Sequence, residues 1–262
     1  MQIPIELPED LPAFAPQRER TLEVMGAPVQ LAWLPDRRHR AGFDHDGRSA
    51  FERSPAARIL AEEALQRSDA LALTPNRFPF AREQRILWMA APAREPDLGF
   101  WTAALDWAER SDGTVLLNTI GAAATIPRAH AHLTPERLPF LHAIGERPVT
   151  TDLIDVPQGC ELVHKELDRC VLGVRGSVEA RAAALVLLAD ARPTPAWNVV
   201  ASRGVAWAAP RRVQTPSPHF PAPLGAAELW GRYCYVDERD FEQATAADLE
   251  AAFAAATMPA IA

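Results

Sequence analysis

Two histidines, His130 and His132, stand one residue apart in the segment Leu117–Phe140, LNTIGAAATIPRAHAHLTPERLPF, soon after a run of glycine and alanine. In an extended chain, residues two apart project from one face, so both imidazoles would look into a single pocket. Three readings are open: packed or surface residues, metal ligation, or nucleophilic attack by one ring supported by the other. Gly121, Ala122, Ala123 and Ala124 favour a ligand site, because small residues let a ligand approach the backbone closely. Metal ligation would need a further ligand such as His142 or His164, whose spacings match no familiar zinc signature. Attack by imidazole needs a neutral ring with one nitrogen held as a donor, a task that a backbone carbonyl can perform.

The elements that must position this pair follow from apolar periodicity. Thr114–Asn118 reads as the strand entering the histidine segment, and Asp97–Arg110 as a helix with Phe100, Trp101, Ala104, Leu105 and Ala108 on one side. Ala70–Leu73 and Ile86–Ala91 read as strands joined by TPNRFPFAREQR, a connection too long for a tight hairpin turn. Further strands are expected at Val29–Leu34, Cys170–Val174, Trp197–Ala201, Val205–Ala209 and Tyr233–Val236. Helices are expected from Ser54 to near Ser68 with Pro55 in the first turn, over Val178–Leu188, and from Thr245 to Ala256. Antiparallel strands with helices between them imply an α+β fold with a mostly antiparallel sheet flanked by helices. We expect one domain over residues 1–262, with 1–69 as an N-terminal extension or first subdomain.

Composition narrows the functional classes. With 262 residues, 48% of them apolar, the chain can bury a sizeable core. Its net charge of −7 does not favour broad contact with a nucleic-acid backbone. The start, MQIPIELPEDLPAF, lacks the features of a secretory signal, and no run of about twenty apolar residues follows, so a cytoplasmic protein without a membrane span is expected. Three widely spaced cysteines, Cys160, Cys170 and Cys234, read as reduced thiols rather than a zinc or redox pair.

The order of motifs resembles the histidine-triad superfamily, in particular its transferase branch of hexose-1-phosphate uridylyltransferases and diadenosine tetraphosphate phosphorylases. Asn118, then Gly121-Ala-Ala-Ala, then His130-Ala-His132-Leu-Thr134 looks like the branch's Asn, Gly-Ala turn and His-x-His-x-Gln. Thr74-Pro-Asn76-Arg77-Phe78-Pro-Phe80 is similar to its Asn-x-Phe-Pro segment. Trp197-Asn198, the strand pair ending in Pro210-Arg211, and Leu224-Gly225 resemble the C-terminal half of the phosphorylases. The likeness spans about residues 70–257.

The resemblance implies a HIT-like fold in which His132 attacks the α-phosphorus of a nucleotide and forms a nucleotidyl-histidine intermediate. His130 would orient it, and Thr134, in the place of the branch's glutamine, would contact a phosphate oxygen together with Asn118. Asn76, Arg77, Phe78 and Gly121 would line the nucleotide site, and Arg128, Lys165 and Arg85 are candidate cations for the phosphates. No resident metal or cofactor is required, although a divalent cation can accompany the nucleotide. The expected activity is that of a nucleotidyltransferase or phosphorylase on a nucleoside polyphosphate or nucleotide conjugate. A nucleotide hydrolase, a catalytically altered nucleotide-binding protein and a metal-dependent hydrolase are the alternatives.

Overall fold

A computed structural model describes residues 1–5, 11–39, 56–150 and 154–260; the expected helix start at Ser54 and Pro55 lies outside them. The described chain is α+β and centres on an antiparallel sheet of ten strands. In chain order, the strands are β1 (Arg18–Val24), β2 (Ala27–Trp33), β3 (Gln66–Arg67), β4 (Leu71–Pro75), β5 (Arg85–Met89), β6 (Thr114–Asn118) and β7 (His130–Thr134). They continue with β8 (Glu146–Pro148), β9 (Glu161–Lys165), β10 (Leu172–Arg175), β11 (Trp197–Ser202), β12 (Val205–Pro210) and β13 (Arg232–Tyr235). The large sheet runs β3-β4-β5-β7-β6-β11-β12-β10-β9-β8, so the histidine strand is interior, between β5 and β6. A second sheet, β1-β2-β13, joins the N-terminal hairpin to a C-terminal strand through a parallel β2–β13 pairing.

Strand parity divides the large sheet into two chemically distinct faces. Leu87, Val115, Leu117, Ala131, Leu133 and Val199 project to one side, where they pack on the helices Leu98–Ser111 and Val178–Ala191. Asp97 caps the first helix by accepting from the Phe100 N–H at 2.8 Å, and Ser177 caps the second. The first helix buries Phe100, Trp101, Ala104, Leu105, Trp107 and Ala108, the apolar stripe read from the sequence plus one tryptophan. Each such large side chain contributes about 1.5–3 kcal/mol by leaving water.

The other face carries Leu116, Val163, Val200 and Trp207, and it is covered by the small sheet and by the helices Ala226–Trp230 and Ala246–Ala256. Leu116 pairs with His132 across β6 and β7, so this second face is the one that carries both histidines. Among the described residues, no helix is long and apolar enough to cross a membrane.

Candidate active site

His130 and His132 project from the interior strand β7 and are only 6% and 8% exposed. Their rings meet edge to face with centroids 5.6 Å apart. The Nδ1 of His130 lies 2.7 Å from the Arg128 carbonyl oxygen, which can only accept. Nδ1 therefore carries the proton, and in the neutral ring Nε2 holds the lone pair. Trp88, directly across on β5, stacks on His130 at 4.6 Å and donates through Nε1 to the Thr74 hydroxyl at 2.9 Å. His130 is thus fixed in both tautomer and tilt.

His132 meets the edge of Phe80, whose ring centroid is 5.1 Å away. Phe80 sits in the loop that joins β4 to β5, and that loop is tied down at several points. The Asn76 Nδ2 and the Phe80 N–H both donate to the Gln84 Oε1 at 2.9 Å, while the Phe78 N–H donates to the Asn76 Oδ1 at 3.0 Å. Arg37 donates to the Phe78 carbonyl and lies over the Phe80 ring at 5.6 Å. Buried Arg232 donates to the Phe80 carbonyl at 3.1 Å and to Glu136 and Gln30 at 2.7 Å each. The loop therefore forms a rigid wall beside His132.

A second wall comes from Asn118, which shares the histidine face because it lies two residues beyond Leu116. Its Oδ1 accepts from the Asn198 Nδ2 at 2.8 Å and from the Ala226 N–H at 2.7 Å. Asn198 also donates to the Ala122 carbonyl at 2.9 Å, and its own oxygen accepts from the Arg211 Nη1 at 2.9 Å. Arg211 donates onward to the Leu224 carbonyl at 2.9 Å, and burial lowers its pKa to about 10, which leaves it charged at neutral pH. Burial also pushes the nearby Glu228 carboxyl above the usual range, against the opposing pull of the Gly225 N–H and of Arg37 and Arg211.

The Gly-Ala turn closes around this network. Gly121 and Ala123 have φ of 84° and 72°, the left-handed region that favours glycine at the first of them. At Gly225 a Cβ would fall 2.9 Å from both the Asn118 Oδ1 and the Ala123 Cβ. Gly225→Ala is therefore expected to cost about 1–3 kcal/mol, the usual range for overpacking, and to displace Asn118 from its place on the histidine face. Thermal unfolding checks the cost, and a crystal structure of the variant checks the displacement.

The residues expected at the site divide into two groups. Asn76, Phe78, Asn118, Gly121, His130, His132 and Thr134 all fall on the histidine face or on the two turns beside it. The four candidate cations are engaged with other groups. Arg77 extends outward and pairs with Glu63 at 3.0 Å. Arg128 braces the end of β5, donating to the Ala90 carbonyl at 2.7 Å. Arg85 projects to the opposite, helix-covered face, where it donates to the Ile5 carbonyl at 2.7 Å and lies over Trp107. Lys165, on β9, is five strands from β7, about 24 Å at the ~4.8 Å strand spacing, and donates to the Ile144 carbonyl at 2.9 Å.

Thr134 keeps its place but not an open hydroxyl, which donates to the Arg82 carbonyl at 2.8 Å and accepts from the Glu136 N–H at 3.2 Å. The sequence reading also left unassigned to the site Trp88, Arg37, Gln84, Asn198, Arg211 and Arg232. Of these, Asn198 and Arg211 belong to motifs visible in the sequence. Among the described residues, no group of three or more His, Cys, Asp and Glu side chains is arranged to hold a metal ion.

The sequence matches no protein-family model and no curated protein at a significant level. Solved structures do match. Yeast Ap4A phosphorylase Apa2 in complex with Ap4A superposes with a TM-score of 0.70 at 12% identity, covering 96% of this chain and 93% of that one. The chain has the fold of this phosphorylase. Structures of the same yeast enzyme with AMP and without a named ligand give TM-scores of 0.69 and 0.66 at 13% and 11% identity. They cover 94% and 96% of this chain and 89% and 93% of theirs. At such identity the likeness is one of fold.

Proposed function

We propose that the protein is a nucleotidyltransferase or phosphorylase that acts on a nucleoside polyphosphate or nucleotide conjugate, such as diadenosine tetraphosphate, through a covalent nucleotidyl-His132 intermediate. The observation that carries this reading is the pair of buried, mutually contacting imidazoles on an interior strand, with His130 locked by the Arg128 carbonyl and Trp88. The fold shared with an enzyme crystallised with Ap4A and with AMP supports the substrate class.

His132 attacks the α-phosphorus with a ring lone pair, a nitrogen–phosphorus bond forms, and the bond to the leaving phosphate oxygen breaks with its electron pair on that oxygen. An acceptor oxygen from phosphate, a sugar phosphate or water then attacks the same phosphorus, and the bonding pair returns to the imidazole. His130 orients its neighbour and meets the phosphate, and Asn118, held by Asn198, offers its amide to an equatorial oxygen. No resident cofactor takes part in this scheme; a divalent cation would arrive with the polyphosphate as part of the substrate. Polymeric nucleic acid is not a partner in it.

The commitment of the Thr134 hydroxyl favours one other reading, a protein that binds nucleotide without turning it over. Intact-protein mass spectrometry after incubation with Ap4A, ADP-glucose and a UDP-hexose separates the two. The expected result is one added nucleotidyl group, located on His132 by fragmentation. Calorimetric binding with no adduct from any of the three would overturn the transfer reading.

A further inference from the structure

Gln84 is 1% exposed and lies in the wall beside His132. Extending the β5–β7 register, in which Arg85 opposes Leu133 and Ile86 opposes His132, places Gln84 opposite Thr134. It shares the parity of Ile86 and Trp88 and so belongs to the histidine face. As a diagonal neighbour of His132 it stands about 7–8 Å away, within reach of a long side chain.

The orientation of its amide is fixed by chemistry. The Phe80 N–H can only donate, so the atom that accepts it at 2.9 Å is Oε1, which also accepts from the Asn76 Nδ2. The amide nitrogen is left on the other side, buried, with no hydrogen-bond partner among the described residues. A buried N–H₂ without an acceptor costs about 1–3 kcal/mol, a cost that a ligand oxygen would remove. Across from it, the one hydroxyl at the corresponding place on β7 is already committed to the Arg82 carbonyl.

We propose that the Gln84 amide nitrogen donates to a non-bridging oxygen of the phosphate that His132 attacks, so that β5 supplies a donor which Thr134 on β7 does not. This rests on the nucleotidyl-transfer reading. Negative charge grows on those oxygens as the nitrogen–phosphorus bond forms, so a preplaced donor in a dry site favours the transition state over the ground state.

The test is the single-turnover rate of nucleotidyl-enzyme formation from Ap4A. Gln84→Glu keeps an acceptor for Asn76 and Phe80, and therefore the loop, but replaces both N–H donors with a carboxylate oxygen. The rate is expected to fall about 100-fold or more, the loss typical of one such donor, with half-saturation changed much less. Gln84→Met serves where the glutamate variant does not fold, and the second-site change Thr134→Gln in the Gln84→Met background is expected to restore at least a tenth of the native rate. A folded Gln84→Glu or Gln84→Met protein within twofold of the native rate would overturn the proposal, as would absence of any rescue by Thr134→Gln. A native protein that forms no adduct overturns the transfer reading and this proposal with it; a native protein that forms one, with unaffected Gln84 variants, overturns this proposal alone.

Discussion

His132→Ala is expected to abolish the covalent adduct and to lower turnover by about 10⁴-fold or more, the scale on which removing a nucleophile acts when the remaining site is intact. The loss should fall on kcat, because the walls proposed to hold the nucleotide are tied by hydrogen bonds that do not involve this ring. The Phe80 loop is held by Asn76, Gln84, Arg37 and Arg232, and Asn118 is held by Asn198 and the Ala226 N–H. His130→Ala should behave differently. It removes the partner of Trp88 and the hydrogen bond to the Arg128 carbonyl, so stability falls with activity, but the attacking ring remains and a reduced rate of adduct formation survives. Single-turnover kinetics beside thermal unfolding distinguishes the two variants. Equal residual rates for His132→Ala and the native protein would remove His132 from the chemistry altogether.

What could be read from the chain depended on the range over which each feature is specified. Alternation within five residues put His130 and His132 on one face, and a periodic apolar stripe placed the helix over Asp97–Arg110, within a residue of the observed Leu98–Ser111 at each end. Both are local properties. The placement of the cations was not local. Lys165 stands in the strand order far from β7 only because β6, β11, β12 and β10 intervene, an order that no periodicity encodes. Arg85 could have been placed by parity alone, since it alternates with Ile86 and Trp88 on β5 and so must point away from the histidines.

Other elements were obscured for different reasons. β1, RERTLEV, alternates but leaves most of its residues at least partly exposed, so its charged side chains mask the strand signal. Arg232 is buried against Gln30 and Glu136, partners 202 and 96 residues away in sequence. A buried arginine of this kind reads as a surface residue until the tertiary structure supplies its acceptors.

Asn198→Leu is expected to be among the most damaging single substitutions outside the histidines, because one amide serves three partners at once. Leucine would fill much of the same volume but would take an acceptor from buried Arg211, a donor from the Asn118 Oδ1 and another from the Ala122 carbonyl. The Arg211 side chain is buried, and among the described residues its guanidinium would retain the Leu224 carbonyl alone as an acceptor. Breaking a buried charged network from one side costs about 3–5 kcal/mol, a large part of the ~5–15 kcal/mol that holds a typical domain together. The urea midpoint, followed by tryptophan fluorescence, should fall accordingly. Asn198→Asp separates the contributions: it preserves and strengthens the acceptor for Arg211 but sets a carboxylate oxygen against the Asn118 and Ala122 oxygens. If the Arg211 contact dominates stability and the Asn118 contact dominates substrate positioning, the aspartate variant should recover much of the lost stability while remaining defective in adduct formation. Full activity in a folded Asn198→Asp protein would show instead that Asn118 holds its place through the Ala226 N–H alone.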